Sequence, residues 1–231
     1  MRPEYGEAWV YESIIGALPG VDISRGTAIA IQLAVFEAAV LALAWYYDLW
    51  NAAVAGTAAV VVAAVGSVEM LRISRSARTP PSPEPYRRLL FGSSVEVVLA
   101  VLAFVALVTH LFVFDPASGG SLVGTLFGPE PPILVVYLTL LVLWDLCYRI
   151  GTGWWTAVVA LWRSGRYRFD SDDAATLRRS DAETLGFAVV QLLLVPFVVD
   201  YPVLLAALVG HVLAVAVVIA LSVALLTLRE Q

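Results

Sequence analysis

The sequence predicts an all-α polytopic membrane protein, a bundle of six transmembrane helices with one or two interfacial amphipathic helices. Two observations predict it. Of the 231 residues, 60% are hydrophobic, more than a soluble domain of this size can hide, because most of its residues must face water. The 14 basic residues, all Arg, also alternate in place: Arg149 aside, they flank every second gap between apolar runs. Arg2 and Arg25 precede the first run. Arg72, Arg75, Arg78, Arg87 and Arg88 surround the second gap, and Arg163, Arg166, Arg168, Arg178 and Arg179 the fourth; Arg229 ends the chain. Gaps one, three and five carry no Arg. Short Arg-rich loops stay on the cytoplasmic side, so the expected location is the cell membrane, multi-pass, with both termini cytoplasmic.

Each apolar run approaches the ~20 residues a helix needs to cross the hydrocarbon core. They are 27–50, 51–71, 89–114, 132–150, 183–199 and 202–228. Trp45, Tyr46, Tyr47 and Trp50 close the first as an aromatic belt at the outer interface. In the second, Ala55, Ala59, Ala63 and Ser67 recur every four positions beside Gly56, a spacing that lets backbones approach closely in lipid. Segment two is therefore expected at the centre of the bundle; the same stripe also suits a homo-oligomer or membrane-partner contact. The fourth run continues past Gly151-Thr152-Gly153 to Trp162. Drawn straight, that helix reaches ~46 Å, so a bend is expected at the glycines, with 154–162 lying along the inner interface. Residues 5–18 form a second expected interfacial helix. Pro196 weakens helix five near its outer end, and Asp200-Tyr201-Pro202 leaves room only for a tight turn into helix six. The prolines of 79–85 make a stiff linker. The outer stretch 115–131 reads as a plain loop, with a short turn at Leu122, Val123, Leu126 and Phe127 as the alternative.

Several function classes are excluded. Without Lys there is no retinal Schiff base. No Thr-Val-Gly-Tyr-Gly filter and no His-Glu-x-x-His occur. His211, preceded by Gly210, would suit an intramembrane serine protease, but 132–150 contains no Ser. The every-third Arg72, Arg75 and Arg78 follow an apolar run and lead into prolines, as a solvated helix end does. The single cysteine, Cys147, permits neither an intrachain disulfide nor a cysteine-cluster metal site. No catalytic residues, metal, cofactor or nucleic-acid partner are expected; the partner is the lipid bilayer.

Ionisable groups at membrane depth are costly and normally face a partner or water. Glu37, Glu96, Asp145, Arg149 and His211 are therefore the candidates for binding an ion or solute, joined by Gln32 and Gln191 at depths similar to Glu96. Asp145 and Arg149, four apart, share one helix face and can pair, and Arg149 is expected to bridge Asp145 and Glu96. Glu37 has no basic residue at its depth. The bland reading of the same groups is an ion-pair network that fixes helix packing.

The run Asp145-Leu146-Cys147-Tyr148-Arg149-Ile150-Gly151-Thr152-Gly153-Trp154-Trp155 resembles uncharacterised multi-spanning membrane proteins of halophilic archaea. The Lys-free composition and acidic stretches such as Asp170-Ser171-Asp172-Asp173 agree with such a source. The resemblance implies no activity. The expected function is a small transporter or channel-like protein with a polar site in the inner half of the bundle, the alternative a non-catalytic membrane scaffold or assembly subunit.

Overall fold

The computed structural model describes residues 24–78, 82–117 and 119–229; the expected interfacial helix 5–18 lies outside them. Among the described residues there are helices and no strands: α1 (Arg25–Tyr47), α2 (Trp50–Arg78), α3 (Glu84–Gly92), α4 (Val95–Thr109), α5 (Asp115–Ala117), α6 (Leu122–Phe127), α7 (Ile133–Arg166), α8 (Ser171–Val190), α9 (Val195–Val198) and α10 (Pro202–Leu228). A π-helical turn, His110–Phe114, joins α4 to α5, and a 3-10 turn, Gln191–Leu194, joins α8 to α9. Six stretches are long and apolar enough to cross a membrane: Gly26–Tyr47, Trp50–Arg78, Glu84–Ala117, Ile133–Arg166, Ser171–Val198 and Pro202–Leu228.

Two helices share the centre of the bundle: α2, the expected one and the most buried of the six spans, and α7. Helix α7 packs against α1, α2, α3, α4, α8 and α10. The helix runs unbroken through the glycines, which close contacts with its neighbours. A Cβ at Gly151 would meet the backbone N of Ala100 at 3.0 Å and the carbonyl O of Glu96 at 3.2 Å, so α4 lies directly on α7 there. The segment 154–162 is accordingly no separate interfacial helix. At 34 residues, α7 runs ~51 Å at 1.5 Å per residue and projects beyond a ~30 Å hydrocarbon core at its arginine-bearing end. Arg163 and Arg166 sit in its last turn, where positive charge complements the helix dipole. Trp155 donates from Nε1 to the Leu89 carbonyl at 3.3 Å, fixing α3 against this projecting part.

Two further boundaries move for related reasons. The acidic Asp170–Asp173 stretch starts a helix: Asp170 caps α8 by accepting from the Asp173 N–H at 2.9 Å, and Asp172 and Asp173 occupy the first turn, where negative charge is favoured. Helix α8 thus begins 12 residues before the expected position 183 (183 − 171). The expected single helix 89–114 is broken at Ser93 and Ser94. Ser94 adopts φ 54°, ψ 17°, a left-handed conformation that stops α3 and redirects the chain into α4. In the opposite half, 115–131 is no plain loop: α6 buries Val123 against Leu111 and Leu204, with Ser121 capping it through the Gly124 N–H at 3.0 Å.

Candidate binding site

The predicted candidates fall into four places. Arg149 sits on α7, 1% exposed, and grips Asp145 with two nitrogens: Nη2 to Oδ1 at 2.7 Å and Nε to Oδ2 at 3.2 Å. Its Nη1 points to the Met70 sulfur at 3.7 Å. Gln32 of α1 joins Asp145 and Arg149 around a small pocket completed by Ser67 and apolar side chains, of about 20 Å³, room for roughly one water. This polar pocket lies in the arginine-rich half, and it is small.

Glu96 does not belong to it. The expected bridge from Arg149 is not made: both carboxyl oxygens of Glu96 are buried without a hydrogen-bond partner among the described residues. The cause is the close seating of α4 on Gly151, which traps the first turn of α4 in the packing. Glu37 lies elsewhere again, half-buried, accepting a hydrogen bond from the Thr57 hydroxyl of α2 at 2.7 Å. Thr57 supplies the partner that no basic residue at that depth could.

Gln191 and His211 both line a fourth place, a chamber of about 820 Å³. It occupies the half of the bundle away from the arginine-rich end. Its walls come from α1, α2, α4, α6, α7, the 3-10 turn, α9 and α10. The small-residue stripe of α2 divides between the two spaces: Ala55, Gly56 and Ala59 line the chamber, Ala63 and Ser67 the small pocket. These residues leave room inside the bundle. The lining is almost wholly apolar; its polar members are Thr109, His110, Thr139, Cys147, Gln191 and His211, with no Arg, Asp or Glu. A charge there would face hydrocarbon-like walls, which is costly.

The chamber has a side that faces outward. Helices α4 and α10 both pack on α7 but scarcely touch each other. On α4, Ala103 and Ala106 line the chamber and are exposed, as are Val203 and Ala207 on α10. Phe114, 61% exposed, completes this rim. Helix α6 closes one end. It is held from two sides: Asp115 accepts from the Leu122 N–H at 3.3 Å while pairing with His110 Nε2 at 3.3 Å, and Thr125 hydrogen-bonds Tyr201 at 2.8 Å.

A second polar cluster was not foreseen in the sequence. Arg163, placed by its charge in a loop, is 1% exposed, and Asp181 is 2% exposed. Arg163 Nη2 reaches both Asp181 oxygens, at 3.0 and 2.9 Å. Ser222 of α10 donates to Asp181 Oδ2 at 2.7 Å and contacts the Ser164 hydroxyl at 2.8 Å. The Arg163 guanidinium also lies 5.4 Å from the centre of the Tyr86 ring of α3, within cation–π range. Four helices are thereby tied at the arginine-rich end. The cluster contains no histidine or cysteine. Among the described residues no group of three or more His, Cys, Asp or Glu side chains is placed to hold a metal.

Comparison with known proteins adds family membership. No curated protein and no solved structure matches the chain. One family model does, over residues 4–222, nearly the whole sequence, and the chain therefore belongs to this family of unknown function, DUF7530.

Proposed function

We propose that this protein is a small transporter-like membrane protein whose cargo is apolar, taken from the bilayer into the chamber of its outer half. The observation that carries this reading is the pairing of an 820 Å³ apolar chamber with an apolar rim between two helices that do not close on each other. Ligand pockets span ~300–1,000 Å³ and are mostly apolar with a few polar groups, and this chamber fits that description. A hydrophobic molecule dissolved in the membrane can pass the rim without meeting a charge. The pocket at Gln32, Asp145 and Arg149 holds only about 20 Å³, which favours a register-fixing role for that pair over passage of a polar solute. The arginine distribution supports a cell-membrane location with both termini cytoplasmic, and so a chamber in the outer leaflet.

The test is photolabelling of the purified chain, reconstituted in lipid, with a long-chain alkane bearing a diazirine. Labelling of peptides containing buried lining residues such as Leu111 and Leu146 should saturate with probe. Labelling of lipid-facing residues such as Val54 and Val68 should rise linearly. Linear, non-saturating labelling everywhere would remove the chamber as a binding site.

A further inference from the structure

We infer that the protein pairs with a second copy of itself through the outward face of α1, with the two Glu37 carboxyls meeting at the contact. Glu37 stands ~18 Å from the Arg25 end of α1 and ~15 Å from the Tyr47 end, at 1.5 Å per residue. That is close to the middle of a ~30 Å hydrocarbon core. Glu37 is half-buried and lines neither the chamber nor the small pocket. Ala30, Ala34 and Leu41 share its side of the helix and are exposed, so the open part of Glu37 faces the bilayer. The Thr57 hydroxyl donates to Oε1 at 2.7 Å. Among the described residues nothing donates to Oε2.

A carboxyl open to lipid is costly and normally meets a partner, and polar side chains that bond across helices hold membrane helices together. The chemistry says what the partner brings: a donor for the open oxygen, at mid-membrane depth, on a helix that can come close. A carboxyl in its acid form both donates and accepts. Two Glu37 side chains related by a twofold axis along the membrane normal therefore satisfy each other with no third group, and such an axis puts each residue beside its own counterpart. The surface permits the approach. Ala30 and Ala34 present only methyl groups beside Glu37, which leaves the α1 backbone accessible to a neighbouring helix. On α2, Val61, one turn from Thr57, is 41% exposed and extends the open face. A partner of another kind would have to carry an amide or a basic group to the middle of the bilayer; a second copy requires only what this chain holds. The contact uses none of the residues lining the chamber and is independent of what the chamber binds.

The experiment reconstitutes the full chain in lipid vesicles, labelled with donor or acceptor dye at Arg168→Cys, an exposed position, on a Cys147→Ser background. Energy transfer is read as the protein-to-lipid ratio falls. The parent chain should pair and should come apart on dilution. Glu37→Leu should need about tenfold more protein in the membrane to pair, since hydrogen bonds between membrane helices are worth a factor of that order. Glu37→Gln, whose amide both donates and accepts, should pair as the parent does. Ala34→Leu, which adds bulk at an exposed position, should weaken pairing while leaving the unfolding temperature in detergent unchanged. In unlabelled chains on the same Cys147→Ser background, oxidation in the bilayer should crosslink Ala34→Cys to its counterpart and spare Val217→Cys, 59% exposed on α10. Glu37→Leu or Ala34→Leu pairing as tightly as the parent, Glu37→Gln as weak as Glu37→Leu, or Val217→Cys crosslinking as fast as Ala34→Cys would each overturn the contact. A chain monomeric at every ratio would overturn it too, and would leave this face to lipid or to a different protein.

Discussion

Arg163 on α7 and Asp181 on α8 form a sealed ion pair: one guanidinium nitrogen reaches both carboxylate oxygens, at 3.0 and 2.9 Å, and neither side chain is more than 3% exposed. Replacing either partner strands the other charge. Asp181→Ala or Arg163→Ala should lower stability by ~3–5 kcal/mol, as removal of one partner of a buried pair does. The double variant should lose less than the sum of the two. Thermal unfolding of the three variants in detergent measures this; additive losses would show that the two residues act separately.

Arg149 behaves as a fork rather than a point charge, because Nε and Nη2 each meet a different oxygen of Asp145. Arg149→Ala should cost ~3 kcal/mol. Arg149→Lys should recover only part of it, since an ammonium cannot present two parallel donors. A Lys variant as stable as the parent chain in the same unfolding assay would contradict this geometry.

Glu96 gives the opposite sign. Its carboxyl is fully buried without a donor among the described residues, so its burial is a net cost. Glu96→Leu, close in volume and apolar, should raise stability by ~1–3 kcal/mol. A loss of stability would show that the carboxyl finds a partner in the membrane that the protein alone does not provide.

Gly151 has no room to grow. A methyl there would press on the Ala100 N and Glu96 O backbone atoms, which cannot rotate away as a side chain can. Gly151→Ala should destabilise by ~1–3 kcal/mol. At Gly186, where an added Cβ meets nothing within 4 Å, the same change should be neutral or slightly stabilising, because Ala is the better helix former. Comparing the two unfolding temperatures checks the contact.

Orientation is tested with cysteines on a Cys147→Ser background. Gly120 and Arg168 are both exposed and lie toward opposite ends of the bundle. An impermeant thiol reagent added to intact cells should label Gly120→Cys and spare Arg168→Cys. The reverse pattern would invert the topology. Ser164, which the sequence places beside the inner loop, would be a poor probe: it is fully buried, bonded to Ser222 and Ala160.

The apolar runs and the arginine spacing were enough to predict six spans and the Asp145–Arg149 pair, because hydropathy and i, i+4 spacing act over short distances. The helix ends were harder to read. Polar residues hid the start of α8, although Ala174, Leu177, Asp181, Thr184 and Ala188 recur at three- and four-residue intervals and mark the face it buries. That pattern, with Asp170 as cap, was the available signal for Asp181. Arg163 carried none, since a buried and a solvated arginine look alike until a partner helix is placed. The chamber was also hidden: small residues on α2 report space, and only the packing of α4 and α10 against α7 decides whether that space is filled.

The most direct test of the apolar chamber is a pair of substitutions on adjacent residues of α2. Ala55 lines the chamber, whereas Val54, 61% exposed, faces outward. Saturable labelling by the diazirine alkane is compared in Ala55→Phe, Val54→Phe and the parent chain, all reconstituted in lipid. The account predicts that Ala55→Phe loses most of the saturable labelling on the peptides containing Leu111 and Leu146, while Val54→Phe retains it. Saturable labelling unchanged by Ala55→Phe, or lost equally in both variants, would contradict it.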